Sequence, residues 1–221
     1  MWFYKENFLD ETEFKKLAEK VKSYQNLSKD DNEVWETVDD HLDDKHGRYI
    51  RGNGERKVKR YKYTRDFYYY YTIKSNTVKF FGSEFKTPLQ KMYNYFYEKG
   101  YNDIVLQNLW LQYTDHTSIF HRHRDNAIAS YNDKDCFTSI LFTHDIWEDS
   151  WGGSTMISDS SSDINIEELN ENQVEYFPKP NALIIWTRDH PHWMKPILNK
   201  DVTRIFVGGC WYRDESKRIH N

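Results

Sequence analysis

The chain has 221 residues, of which 38% are hydrophobic and 30% charged, and its formal net charge is -4 at pH 7. This length suits one domain with a substantial core, and the balance of charges argues against nucleic acid or an anionic membrane as the main partner. Cys136 and Cys210 lie far apart, and no stretch reaches about eighteen apolar residues. We therefore expect a soluble, intracellular, cytoplasmic protein with reduced cysteines and no signal peptide.

Two helices are predicted in the N-terminal half. Asp10 and Glu13 have the spacing of a capping box at a helix start. Thr87 as the N-cap, with Pro88 at the first helical position and Gln90 completing a capping box, marks the start of a second helix, which Gly100 would end.

A basic and aromatic stretch, residues 56–71, lies between the two helices. Such a mixture occurs in proteins that bind single-stranded nucleic acid. We favour an edge hairpin whose lysines discourage aggregation and whose tyrosines pack on the core. A third interpretation is a hairpin that folds over the candidate metal site described below and contacts substrate, with residues 39–71 as a lid.

The C-terminal half consists of short apolar segments rich in β-branched and aromatic residues, separated by polar loops, which predicts strands. The expected strands are 104–113, a histidine-rich strand near 121–125, 137–143, 153–157, 174–177, 182–187 and 203–212. This order of elements predicts a mainly β fold, with a double-stranded β-helix (jelly roll) core and flanking N-terminal helices. We expect a single domain over 1–221, in which 1–103 is a helical and hairpin support region and 104–212 is the jelly-roll catalytic core.

A candidate metal site starts from His123 and Asp125, which share one face if they lie on a strand. Two histidines and one carboxylate on one face of a metal ion, with other positions open, are typical of non-heme Fe(II) oxygenases. His192 is the candidate third ligand, and Arg204 follows it twelve residues later.

Two neighbouring histidines complicate this assignment, because His121 and His190 each precede a proposed ligand by two residues. A site built on His121 and His123 would suit a cupin, but that pattern needs a glutamate a few residues later, and residues 126–130 contain none. The His123 and Asp125 pair is therefore favoured. His192 is preferred over His190 because only His192 stands correctly before a proline-containing motif.

Several motifs in order resemble the 2-oxoglutarate/Fe(II)-dependent dioxygenases, nearest the prolyl 4-hydroxylase type, over residues 106–212. They are Tyr113, His123-x-Asp125, Trp151-Gly152-Gly153-Ser154-Thr155, Pro180-x-Ala182-Leu183-Ile184-Ile185-Trp186, His192-x-Met194-x-Pro196-Ile197 and Arg204. Each motif alone is a weak signal, whereas their order and separations together are specific.

The resemblance implies that His123, Asp125 and His192 hold Fe(II). It also implies that Arg204 pairs with the distal carboxylate of 2-oxoglutarate, for which a guanidinium fork is well shaped. Tyr113 would donate a hydrogen bond to the same cosubstrate. O2 is then the second cosubstrate, and ascorbate is a further candidate cofactor.

The function implied by the resemblance is hydroxylation of an unactivated C–H bond, with succinate and CO2 as coproducts. A prolyl residue in a protein or peptide is the favoured substrate. A free amino acid or small metabolite is the alternative substrate, and a catalytically inactive jelly-roll binding domain is the alternative outside catalysis. A nucleic-acid-binding module built on residues 56–71 is the remaining alternative, and the overall charge disfavours it.

Three departures from the family pattern refine the expectation. His116 replaces a frequent glycine, and the spacing from His192 to Arg204 is slightly long, which implies a bulge or longer turn. Asp125 is present where halogenating relatives lack a carboxylate, which favours hydroxylation. Cys210 stands where nucleic-acid demethylases carry a second arginine, which disfavours repair of alkylated bases.

Overall fold

The computed structural model describes residues 1–25, 35–43, 48–51, 56–61, 85–116, 118, 120–125, 133–158 and 173–214. Within these ranges the helices are α1 (Glu11–Gln25) and α2 (Lys86–Glu98). The strands are β1 (Trp2–Lys5), β2 (Trp35–Asp43), β3 (Arg48–Arg51), β4 (Arg56–Tyr61), β5 (Ile104–Thr114), β6 (Phe120–His123), β7 (Cys136–Phe142), β8 (Thr155–Ser158), β9 (Gln173–Tyr176), β10 (Leu183–Thr187), β11 (His192–Met194) and β12 (Arg204–Arg213).

The described strands form two antiparallel sheets. The eight-stranded sheet has the order β1-β10-β7-β12-β5-β4-β2-β3, and the four-stranded sheet has the order β6-β11-β8-β9. Strands that are neighbours in the sheet but distant in sequence are the mark of a jelly roll. The predicted mainly β fold with flanking helices is confirmed.

Helix α1 starts as its sequence predicts. The backbone N–H of Glu13 donates to Asp10 Oδ1 at 2.9 Å, and the backbone N–H of Asp10 donates to Glu13 Oε2 at 3.1 Å. This reciprocal pair is a capping box. One face of the helix, which includes Leu17, Ala18 and Val21, is buried against the eight-stranded sheet.

Helix α2 starts slightly earlier than predicted. Phe85 occupies the N-cap position without a side-chain cap, so the assignment of Thr87 as the cap is wrong, because the helix already includes that residue. The end of the helix is confirmed. Gly100 has a φ of 89°, which favours glycine, and the N–H of Tyr101 donates to the carbonyl of Phe96 at 3.0 Å.

The central strands of the large sheet are buried on both faces because alternate residues enter different cores. Along β10, Leu183 and Ile185 pack toward the helices, whereas Ile184 and Trp186 face the interior between the two sheets. We call these the helix-covered face and the barrel face of the eight-stranded sheet. The residues of the barrel-face core are Ile140, Phe142, Ile157, Ala182, Ile184, Trp186 and Phe206.

The basic and aromatic stretch is not at an edge of the sheet in its described part. Strand β4 pairs with both β2 and β5, so the edge-hairpin interpretation is wrong for residues 56–61. The remainder of that stretch, residues 62–71, lies outside the described residues.

Candidate active site

The three predicted metal ligands lie together at one end of the four-stranded sheet. His123 ends β6 and His192 starts β11, and the two residues are direct partners in the antiparallel register. Asp125 follows β6 by two residues. One ligand atom from each of the three residues can be chosen so that all lie within 4.8 Å of one another. The pairing of β6 with β11, which are distant in sequence, therefore brings the three predicted ligands together.

The cluster is buried and oriented toward a common point. The Nε2 atoms of His192 and His123 lie 3.6 Å and 3.9 Å from Asp125 Oδ1, and the centroids of the two imidazole rings are 4.3 Å apart. The side chains of His123 and Asp125 are 5% and 21% exposed. A set of two imidazole nitrogens and one carboxylate oxygen at these separations fits a divalent transition metal ion.

Electrostatics keep the carboxylate of Asp125 ionised. Burial acts to raise its pKa, but the charge and hydrogen bond of His192 and the charges of Arg188 and His123 together hold it well below its usual range. An ionised carboxylate is the form that binds a metal ion.

Hydrogen bonds and packing hold the ligand side chains. His192 Nδ1 lies 3.2 Å from the carbonyl oxygen of His190, so donation from Nδ1–H leaves the Nε2 lone pair for a metal ion. The Trp186 ring packs against the His192 ring with centroids 4.8 Å apart. Thr138 Oγ1 donates to Asp125 Oδ2 at 2.5 Å. The sequence did not signal the contribution of Thr138, because it lies on β7, which is remote from both motifs along the chain.

His190 does not join the cluster. Its Nδ1 lies 2.9 Å from the carbonyl oxygen of Ser158, its Nε2 contacts the amino group of Met1, and its ring packs edge-on against Trp2. The structure therefore brings His192, rather than His190, to the other two candidate ligands. The side chain of His121 lies outside the described part of the chain.

Arg204 starts β12 on the barrel face and is only 3% exposed. Its Nη2 donates to Thr155 Oγ1 at 2.6 Å, and its Nη1 contacts Met194 Sδ at 3.2 Å. The centroids of the Phe142 and Phe206 rings each lie 5.0 Å from the guanidinium carbon. We call these surroundings, which combine apolar rings with one cation, the pocket of Arg204.

The charge of Arg204 is not neutralised within the described residues. None of the ion pairs found there involves it, and its buried Nε has no hydrogen-bond partner there. Burial lowers the pKa of the guanidinium to about 9, so the group is still charged at neutral pH. A buried cation with an unused donor fits an anionic ligand, which would supply the missing interactions.

His144 was not predicted from the sequence, yet it borders this pocket. Its Nδ1 lies 3.2 Å from the carbonyl oxygen of Ile205 and its Nε2 lies 2.5 Å from that of Pro178. Burial, assisted by the charge of Arg204, lowers the pKa of His144 to about 4. A neutral His144 therefore joins the start of β12 to the loop before β10. No motif could reveal it, because all of its partners are distant in sequence.

The glycines of the Gly152-Gly153 motif are explained by close packing on the segment after β11. Both have a positive φ, and a Cβ on Gly152 would lie 2.3 Å from the carbonyl oxygen of Pro196. The N–H of Gly153 donates to that same oxygen at 3.0 Å. Only glycine permits this approach, which fixes β8 beside β11.

Tyr113 is placed differently from the sequence-based assignment. It lies on the helix-covered face, packed in the core beneath the helices, and its hydroxyl donates to the carbonyl oxygen of Val21 in α1 at 2.6 Å. Thr114, the next residue, is the register partner of Arg204. Because alternate residues of a strand point to opposite faces, the side chain of Tyr113 points away from the pocket of Arg204. The structure thus corrects its proposed cosubstrate contact.

Neither described helix is long and apolar enough to cross a membrane.

The fold and the cluster together define a class of protein: a jelly roll that carries a two-histidine, one-carboxylate site between its two sheets. Residues 109–213 match the family model described as the 2OG-Fe(II) oxygenase superfamily. The recognised resemblance is thereby confirmed at the level of the superfamily, whose name states its dependence on 2-oxoglutarate and Fe(II). No curated protein sequence matches the chain significantly.

Solved structures show the same fold at low identity. A prolyl-4-hydroxylase from Pseudomonas putida has a TM-score of 0.55 and 13% identity, with 96% of this chain and 92% of that chain covered. A Trichoplax adhaerens prolyl hydroxylase, in complex with a hypoxia inducible factor peptide fragment, has a TM-score of 0.54 and 16% identity over 98% and 85%. SnoN, a non-heme alpha ketoglutarate dependent epimerase from nogalamycin biosynthesis, has a TM-score of 0.60 and 10% identity over 96% and 78%.

Proposed function

We propose that this protein uses Fe(II), 2-oxoglutarate and O2 to hydroxylate an unactivated C–H bond, with a prolyl residue in a protein or peptide as the favoured substrate. The observation that carries the proposal is that β11 contributes to both parts of the site. His192 belongs to the metal-ligand cluster, and Met194, two residues later on the same strand, contacts Arg204. In this assignment His123, Asp125 and His192 hold the iron.

The spacing along β11 supports this assignment. His192 faces Ile157 across the β8–β11 pair, and Met194, which contacts Arg204, faces Thr155. Residues two apart on a strand are separated by about 7 Å. A five-carbon keto acid spans a distance of this order, so one molecule can reach the metal ion with its keto acid end and Arg204 with its distal carboxylate.

Each residue of the pocket has a role in cosubstrate binding. Arg204 offers the charge and a free Nε–H donor, and Thr155 offers a hydroxyl beside the guanidinium. Phe142 and Phe206 exclude water, which strengthens the ionic contact by lowering the local dielectric constant. Iron, when bound, supplies the oxidative chemistry that couples decarboxylation of 2-oxoglutarate to substrate oxidation.

We propose that the N-terminal region, residues 1–103, belongs to the same domain as the 104–212 core. Strand β4, which belongs to residues 1–103, pairs directly with β5 at the start of the 104–212 core. Helix α1 covers the outer side of that core. We therefore propose that residues 1–221 act as one domain.

The first experiment is anaerobic addition of Fe(II) and 2-oxoglutarate, with detection of the weak visible charge-transfer band of the chelated complex. Admission of O2 should then yield succinate. The band together with succinate would support the proposal, whereas a folded protein that gives neither would favour the inactive binding domain.

Substrate class is tested next. Proline-containing peptides, free amino acids and small metabolites are compared by the substrate-dependent increase in succinate and by the mass of the product. A gain of one oxygen atom on a peptide prolyl residue would support the favoured substrate. Stimulation by free amino acids or metabolites alone would replace it with the small-molecule alternative.

A further inference from the structure

The carboxylate of Asp125 has two oxygens with different surroundings. Oδ1 faces the Nε2 atoms of both histidines, at 3.6 Å and 3.9 Å. Oδ2 instead accepts the hydroxyl hydrogen of Thr138 at 2.5 Å. Oδ1 thus lies close to both imidazoles, while Oδ2 is engaged in a short, charge-assisted hydrogen bond.

The hydroxyl of Thr138 is itself held by a buried arginine. Arg188 Nε lies 3.5 Å from Thr138 Oγ1, so the hydroxyl can accept from the guanidinium while it donates its own hydrogen to Asp125. Both residues are buried, with 4% and 8% of their surfaces exposed. The direction of the hydroxyl hydrogen is therefore fixed by its neighbours.

Arg188 is anchored at both ends. Its backbone N–H donates to the carbonyl oxygen of Cys136 at 2.9 Å, and its Nη2 contacts Cys210 Sγ at 3.0 Å. Thr138 pairs with Trp186 on β10 and with Cys210 on β12, which places it between the strands that Arg188 spans. The chain from Arg188 through Thr138 to Asp125 therefore rests on three adjacent strands of the large sheet.

We propose that Thr138 and Arg188 are positioning residues that present Asp125 to the metal ion through Oδ1 alone. This inference rests on the proposed function. Three protein ligands that each use one atom would leave other coordination positions of a bound metal ion open to the cosubstrates. A carboxylate that bound through both oxygens would occupy one of those positions.

The test compares three variants with the unaltered protein by Co(II) titration, followed by absorption spectroscopy. Thr138→Val should weaken Co(II) binding roughly 10- to 100-fold, the usual effect of losing a hydrogen bond to a metal ligand. Thr138→Ser keeps the hydroxyl and should restore binding. Thr143→Val is the matched control, because Thr143 is equally buried and its hydroxyl has no partner among the described residues.

A second readout addresses the number of carboxylate oxygens that bind. Nitric oxide, added to protein loaded with Fe(II) and 2-oxoglutarate, reports an open position through electron paramagnetic resonance. Thr138→Val should give a smaller signal per bound iron, and Thr138→Ser should not. Arg188→Met should shift both readouts in the same direction as Thr138→Val, because the hydroxyl loses its restraint.

The outcomes separate this inference from the proposed function. Suppose that the unaltered protein binds Co(II). If Thr138→Val then binds Co(II) as tightly as the unaltered protein, or if Thr138→Ser binds it as weakly as Thr138→Val, the inference alone is overturned. If Thr138→Val binds Co(II) more weakly but gives a normal nitric oxide signal, the single-oxygen assignment is overturned. If Arg188→Met leaves both Co(II) binding and the nitric oxide signal unchanged, the proposed role of Arg188 is overturned. Failure of the unaltered protein to bind Co(II) would overturn both the function and the inference.

Discussion

The two faces of the eight-stranded sheet bury polar groups in different ways. On the helix-covered face, the Tyr113 hydroxyl donates to Val21 and the Trp211 indole donates to Ser139 Oγ at 2.8 Å. On the barrel face, Arg204 Nε and Trp186 Nε1 are buried and have no partner among the described residues. Buried polar groups are normally paired, so the unpaired donors are consistent with the ligand site that we propose on the barrel face. The hydrogen bonds of the helix-covered face contribute to stability.

The largest effect in the interior between the two sheets should come from His192→Ala. Loss of a direct ligand should reduce Fe(II) retention and turnover by more than about 100-fold. Loss of a residue that only hydrogen-bonds to a metal ligand already lowers metal affinity or activity roughly 10- to 100-fold. Metal content after gel filtration and succinate formation measure this effect.

His190→Gln is the matched control, because His190 is also buried and is two residues away. It should retain iron. Loss of iron in His190→Gln with retention in His192→Ala would reverse the assignment of the third ligand.

Arg204→Met should act on the cosubstrate and spare the metal ion. Removal of a charge-assisted contact should raise the 2-oxoglutarate requirement roughly 10- to 100-fold. Succinate formation as a function of 2-oxoglutarate concentration measures it. Arg213→Lys, at the other end of β12 and paired with Asp103, is the control and should leave that requirement unchanged. An unchanged requirement in Arg204→Met would assign the contact to another basic residue.

A fall in pH should destabilise the folded protein through protonation of His144. Its pKa in the folded protein is about 4, against about 6.5 in an unfolded chain. Between these values the unfolded chain binds a proton that the folded protein does not, so the free energy of unfolding falls as the pH falls. The contribution lost by pH 5 is about 2 kcal/mol.

Urea unfolding at pH 7.5 and pH 5 measures the effect of His144. The variant His144→Gln cannot titrate at this position and should show a correspondingly smaller loss of stability between the two pH values. An identical loss in both proteins would assign the pH dependence to other groups.

The smallest effect should arise on the helix-covered face. Tyr113→Phe removes the hydrogen bond to Val21 and should lower the free energy of unfolding by about 1 kcal/mol. The 2-oxoglutarate requirement should stay constant, because the hydroxyl points away from the pocket of Arg204. A marked rise in that requirement would instead return Tyr113 to the cosubstrate site and contradict its observed placement.

Local patterns in the sequence determined much of the fold. The capping box of Asp10 and Glu13, the helix end at Gly100 and the alternation of residues along β10 depend on neighbours within a few positions. Such short-range preferences are encoded directly in the chain. The same holds for the order of motifs, which predicted the superfamily and proposed the three residues that form the candidate metal cluster.

Long-range strand pairing decided the rest. Alternation shows that Tyr113 and Thr114 face opposite ways, but only the packing of α1 on the sheet decides which of them faces the pocket. Likewise, the hydrogen bond from Thr138 to Asp125 and the burial of His144 depend on strands that are far apart in sequence. A period of two fixes relative faces within a strand, whereas the tertiary structure fixes which face becomes the interior of the barrel.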